Sequence, residues 1–89
     1  MDELTRHVVI VNDLGLHARA AAKVAGLARN ARSAVWISRE AEAADASSVI
    51  DILSMACPKG TRLSVSVDDP ADCDILEAIA TLIENGFDE

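Results

Sequence analysis

Four β-branched residues, Val8 to Val11, stand together near the start of the chain, and they set its first element. A strand over Thr5 to Val11 turns Val8 and Ile10 to one side and Val9 and Val11 to the other. Asn12-Asp13-Leu14-Gly15 is a turn, made of residues that tolerate unusual backbone angles. The alanine-rich segment after it has helical spacing and predicts a first helix from Ala18 to Asn30. Ala21, Ala22, Val24, Ala25 and Ala28 keep its buried side thin, so that it packs closely on a sheet. Gly26 within it costs about 1 kcal/mol against alanine, which predicts a close backbone contact at that point. Ser33 to Arg39 is a second strand with Val35 and Ile37 inward. Trp36 then faces the other way, either as a contact surface or lying flat over its neighbours.

Glu40 to Asp45 is helical by propensity but too short to stand as a helix, and a hairpin return predicts a third strand over Glu42 to Ala46. Asp45 or Ser47 is placed to cap a short second helix from Ser48 to Met55. Its apolar members Val49, Ile50, Ile52, Leu53, Met55 and Ala56 exceed what one core-facing stripe needs. Such a helix is either buried all round or exposes an apolar patch that binds protein. Pro58-Lys59-Gly60 ends it. Thr61 to Asp68 alternates Leu63, Val65 and Val67 with Arg62, Ser64 and Ser66, a strand with one buried face. Asp69 and Pro70 start the last helix, as cap and first helical residue. Ile75, Ile79, Leu82 and Ile83 form its stripe, with Leu76 beside it, and Gly86 stops it. The order β-α-β-β-α-β-α predicts an α+β open-faced sandwich. It has a four-stranded, mainly antiparallel sheet with three helices on one face, in a single domain over 1–89.

Composition narrows the function. Of 89 residues 51% are hydrophobic but only 2% aromatic, so the core is aliphatic. No apolar run approaches the roughly 20 residues of a membrane span. The start, Met1-Asp2-Glu3-Leu4, lacks the basic and apolar regions of a signal peptide, so cytoplasmic residence is expected. Cys57 and Cys73 form no metal-ligand spacing and are expected as reduced thiols. A net charge of −7 excludes nonspecific nucleic-acid binding. The charge is also polarised. Leu14 to Arg39 holds five bases and no acid, whereas Asp68 to Glu89 holds eight acids and no base. The basic segment is suited to steering acidic protein partners.

That segment contains the candidate chemistry, Gly15-Leu16-His17-Ala18-Arg19. His17 falls at a strand-to-helix turn. A helix start carries unpaired N–H groups and the positive end of the macrodipole, which together make an anion site. A neutral imidazole is a competent nucleophile there, and Arg19 adds a planar fork suited to phosphate oxygens. Reversible phosphorylation of His17 is the simplest chemistry, although the same residues also fit a merely solvated helix start. A metal site using His7 and His17 lacks a third and fourth ligand, and neither metal nor cofactor is expected.

Taken with Ser47-Ser48-Val49-Ile50 and Lys59-Gly60 at their spacings, the His17 segment resembles the active-site region of the HPr phosphocarriers of bacterial phosphoenolpyruvate-dependent phosphotransferase systems. The resemblance spans nearly the whole chain. It implies phosphorylation of His17 at Nδ1, stabilisation of the phosphoryl group by Arg19, and docking through Val49, Ile50 and Leu53. It further implies an enzyme I type donor, an EIIA-type acceptor and a covalently phosphorylated carrier rather than a free-standing catalyst. The role lies in sugar transport or in nitrogen and carbon regulation. Glu40-Ala41-Glu42-Ala43, Ser48-Val49-Ile50 and Asn85-Gly86-Phe87-Asp88-Glu89 look closer to the nitrogen-related branch, NPr. Ser48 aligns with a serine that a dedicated kinase and phosphorylase modify in some relatives. Its neighbours Ser47 and Asp51 depart from that pattern, and Asp51 would repel an added phosphate, so Ser48 is read first as a helix cap. Ala20 stands where the family usually has proline, which loosens the first turn. The competing class is a regulatory adaptor without phosphochemistry that uses only the second helix; retention of His17 and Arg19 argues against it.

Overall fold

In a computed structural model, described over residues 3–89, β1 spans Thr5–Val9 and α1 spans Ala18–Ala28. The hairpin of β2, Val35–Arg39, and β3, Glu42–Asp45, follows. Then come α2, Val49–Ser54; β4, Arg62–Val67; and α3, Cys73–Glu84. Short 3-10 turns at Pro70–Asp72 and Gly86–Asp88 flank α3. The four strands form one sheet in the order β1-β4-β2-β3, and every neighbouring pair is antiparallel. The alternation read from the strands holds. Val8, Ile10, Val35, Ile37, Leu63, Val65 and Val67 are buried, whereas Val9 and Val11 are exposed.

The uncovered sheet face mixes serines with exposed Val9 and Trp36. Trp36 stands on it opposite Ser66 of β4 and Asp45 of β3. His7 lies there too, hydrogen-bonded through Nδ1 to Ser64 Oγ at 3.0 Å, on a different element from His17.

On the helical side three expectations need correction. In α1 the thin buried stripe is Ala20, Ala21, Val24, Ala25 and Ala28, and Ala22 is exposed. Stepping three and four residues from Ala21 and Val24 reaches Ala20 before Ala22, because the face is set by helical phase rather than by alanine content. Gly26 is also exposed, and a Cβ there would meet nothing within 4 Å among the described residues, so no close contact with them requires it. In α3 the buried line is Leu76, Ile79, Ala80 and Ile83, with Ile75 and Leu82 half-buried at its edges. Each fully buried Leu, Ile or Phe side chain contributes about 1.5–3 kcal/mol. Phe87 belongs with these; it is completely covered although it lies beyond α3.

The caps explain the element ends. Asp69 accepts the Ala71 N–H at 2.9 Å, but the turn it starts is 3-10, and α3 proper begins at Cys73. Of the three residues read as caps, Ser48, and neither Asp45 nor Ser47, caps α2 by accepting the Asp51 N–H at 3.2 Å. Asp45 is occupied one step earlier, accepting the Ser47 N–H and hydroxyl at 2.9 and 2.7 Å. Those two bonds hold its carboxyl below the usual aspartate range. α1 and α2 are tied at their ends, where Arg29 Nε donates to the Ser47 carbonyl at 3.2 Å.

Candidate functional site

The turn that delivers His17 is held from both sides. The Gly15 N–H donates to the Asn12 carbonyl at 3.1 Å, and Asn12 Nδ2 donates to the Gly15 carbonyl at 2.8 Å. Gly15 has φ +66°, a backbone region that favours glycine. Leu16 next to it is buried, and its N–H donates to the Cys57 carbonyl at 2.9 Å. With Leu16 pinned inward, His17 is left as the N-cap of α1, in extended conformation at φ −77° and ψ −179°. Its carbonyl accepts the first helical bond, from the Ala21 N–H at 2.8 Å. Its Nδ1 accepts the Arg19 N–H at 3.2 Å. The imidazole therefore faces the helix start with one nitrogen, as the placement of His17 required. Its side chain is 21% exposed, neither sealed nor loose.

Opposite that nitrogen lies a carboxylate that the sequence reading did not place in the site. Glu89 Oε2 pairs with His17 Nε2 and lies 3.4 Å from Arg19 Nη2, and Glu89 Oε1 accepts from Asn12 Nδ2 at 3.0 Å. The bond from His17, aided by those from Asn12 and Arg19, holds the Glu89 carboxyl below the ordinary glutamate range against opposing desolvation. No local signal links Glu89 to His17, because 72 residues separate them. The Gly86–Asp88 turn makes the link. Phe87 is buried with φ +59°, and Lys23 Nζ of α1 donates to its carbonyl at 2.7 Å. Asn12 was assigned only a turn role; it is buried, and its Oδ1 has no hydrogen-bond partner among the described residues.

The docking residues divide. Ile50 is 76% exposed and Leu53 38%, whereas Val49 is half-buried and packs against the core. Leu14, in the turn before His17, is 66% exposed and was not singled out. The opposite side of α2 is covered by Ile52 and Met55, so the helix exposes one apolar face rather than none. Arg39 Nη2 donates to the Met55 carbonyl at 2.9 Å, where the helix ends in free carbonyls.

The family model described as "PTS HPr component phosphorylation site" matches residues 4–85. The chain belongs to the HPr family of phosphotransferase-system phosphocarriers. Phosphocarrier protein HPr of Cupriavidus necator is 38% identical over 86 residues, which cover 97% of each chain. Phosphocarrier protein NPr of Klebsiella oxytoca is 36% identical over 83 residues, which cover 92% of each. The crystal structure of an HPr from Thermoanaerobacter tengcongensis superposes with a TM-score of 0.89 at 28% identity, covering 100% of this chain and 98% of that one. The open-faced α+β architecture expected from the element order is thus also found by direct superposition. Among the described residues no helix is long and apolar enough to cross a membrane.

Proposed function

We propose that His17 is the phosphoryl-carrying residue, taking the group at Nδ1 from an enzyme I type donor and passing it to an EIIA-type acceptor. The observation that supports this most directly is the bond from the Arg19 N–H to Nδ1, because it aims that nitrogen's lone pair at the helix start. A phosphoryl group on Nδ1 would take over that amide, which then donates to a phosphoryl oxygen instead. The Arg19 guanidinium, on a 67% exposed side chain, is free to swing from Glu89 to the same oxygens. Transfer of this kind asks mainly for positioning and charge stabilisation. Ile50 and Leu53, with Leu14, supply the positioning by docking one face on successive partners, and Val49 supports them from beneath. Cytoplasmic residence accompanies this role.

Ser48 serves this reading as the α2 cap. Its Oγ already accepts the Asp51 N–H, and Asp51 in the first turn opposes a second negative group.

Mixing the protein with phosphoenolpyruvate and the donor enzyme tests the reading. The wild type should acquire acid-labile phosphate and His17→Ala none; labelled His17→Ala overturns it. Arg19→Ala should transfer more slowly with an unchanged fold. Presenting the charged carrier to sugar-type and nitrogen-type EIIA proteins in parallel identifies the acceptor.

A further inference from the structure

We infer that Glu89 is a positioning residue for His17: its carboxylate, aimed by Asn12, accepts a hydrogen bond from Nε2–H, leaves Nδ1 as the unprotonated nitrogen, and stabilises the ring's positive charge as Nδ1 takes the phosphoryl group. The inference rests on the phosphocarrier reading above.

The two ring nitrogens face partners of opposite kind. Nδ1 meets an N–H donor and must present a lone pair; Nε2 meets a carboxylate and must carry the proton. The bond made by one ring nitrogen sets the state of the other, so the two contacts select a single neutral tautomer. The carboxylate is itself fixed. Its second oxygen is held by Asn12 Nδ2 at 3.0 Å, and the same amide nitrogen is held on the Gly15 carbonyl at 2.8 Å. The backbone leading to Glu89 is fixed as well, by the buried Phe87 ring and by Lys23 on the Phe87 carbonyl. Two consecutive non-glycine residues, Phe87 and Asp88, adopt φ +59° and +63° to bring Glu89 round to the imidazole. The Glu89 side chain is 20% exposed, close to the 21% of His17.

In the reaction the Nδ1 lone pair forms the N–P bond while the bond from phosphorus to the donor's leaving atom breaks, and that electron pair stays with the donor. Nε2 keeps its proton, so the ring becomes cationic, and its charge is shared with Glu89. A carboxylate behind a nucleophile-activating histidine in hydrolases plays a comparable part, holding the tautomer and stabilising the imidazolium. On delivery to the acceptor the N–P pair returns to Nδ1 and the neutral tautomer is restored.

The test uses the whole chain as wild type, Glu89→Ala, Glu89→Gln, Asn12→Ala and His17→Ala. With the phosphoenolpyruvate-charged donor, Glu89→Ala should lower the single-turnover rate at saturating donor about tenfold, with the half-saturating donor concentration unchanged. Glu89→Gln, which keeps an acceptor oxygen but not the negative charge, should recover only part of that rate, and Asn12→Ala, which keeps the carboxylate but loses its aim, should also lie between Glu89→Ala and the wild type. Nitrogen-15 spectra of the unphosphorylated imidazole should show a protonated Nε2 and a bare Nδ1 in the wild type, with the Nε2 proton lost to water exchange in Glu89→Ala. Wild-type rates and an unchanged Nε2 proton in Glu89→Ala, or a proton on Nδ1 in the wild type, overturn the inference. Phosphate uptake by His17→Ala instead overturns the carrier assignment, and the spectra judge Glu89 without any phosphoryl transfer.

Discussion

The carbonyl of Cys57 accepts the N–H of Leu16 at 2.9 Å, and so fastens the loop after α2 directly beneath the turn that presents His17. The same oxygen lies 2.5 Å from where a Cβ on Gly15 would sit, and Pro58 Cα lies at 2.9 Å. Gly15→Ala therefore meets both a left-handed backbone penalty and a backbone clash. It should lose more than about 2 kcal/mol of stability in urea denaturation and slow phosphoryl uptake by shifting His17.

Gly26 predicts the reverse. It is exposed inside α1 with open space around its Cα. Gly26→Ala should stabilise the protein by about 0.5–1 kcal/mol with unchanged transfer rates, since nothing but helix propensity is altered. Thermal unfolding measures it.

Asp72 is 2% exposed, and its two oxygens accept the Arg32 and Ser33 N–H groups at 2.8 and 3.0 Å. It thereby ties the α1–β2 loop to the start of α3. Asp72→Ala strands two backbone donors and should cost on the order of 3 kcal/mol. Asp69→Ala, which removes only an exposed cap, should cost about 1 kcal/mol.

Acid should undo the Glu89 clamp. A carboxyl whose folded value lies below its unfolded 4.5 adds stability in full above about that pH and loses it as pH falls through the folded value. The stability difference between wild type and Glu89→Gln should therefore shrink below pH 4.5 and disappear in stronger acid. Paired urea titrations across that range follow Glu89 apart from the other carboxyls.

The two thiols should separate. Burial pushes the Cys57 thiol up, while Cys73 at the start of α3 is half-exposed. A thiol-specific reagent at neutral pH should label Cys73 in the native protein and Cys57 only on unfolding, as peptide mapping reads directly.

What was legible in the chain follows from the range of the forces concerned. Alternation along Thr61 to Asp68 names Leu63, Val65 and Val67 because a strand's facing depends on its own residues. His17 was legible for the same reason, since a turn followed by an alanine run places it at a helix start without reference to anything distant. Ala22 was misplaced because alanine reads as buried or exposed with equal ease. Gly26 was misread because an absent side chain leaves no clue to its surroundings. Glu89 could not be found at all. Its tie to His17 depends on how Phe87 folds back into the core, and a run of acids at that end reads simply as a solvated tail.

The sheet order β1-β4-β2-β3 also governs the timing of assembly. β4 lies between β1 and β2, so the two earlier-made parts of the sheet do not touch each other until Arg62–Val67 arrives to bridge them. During translation the first strand must wait unpaired while more than half of the chain is made. A ribosome stalled before Arg62 would hold a loose hairpin and two helical segments without a common core. The imidazole therefore gains its setting late and all at once, and a truncated nascent chain has no half-built site with which to engage the donor.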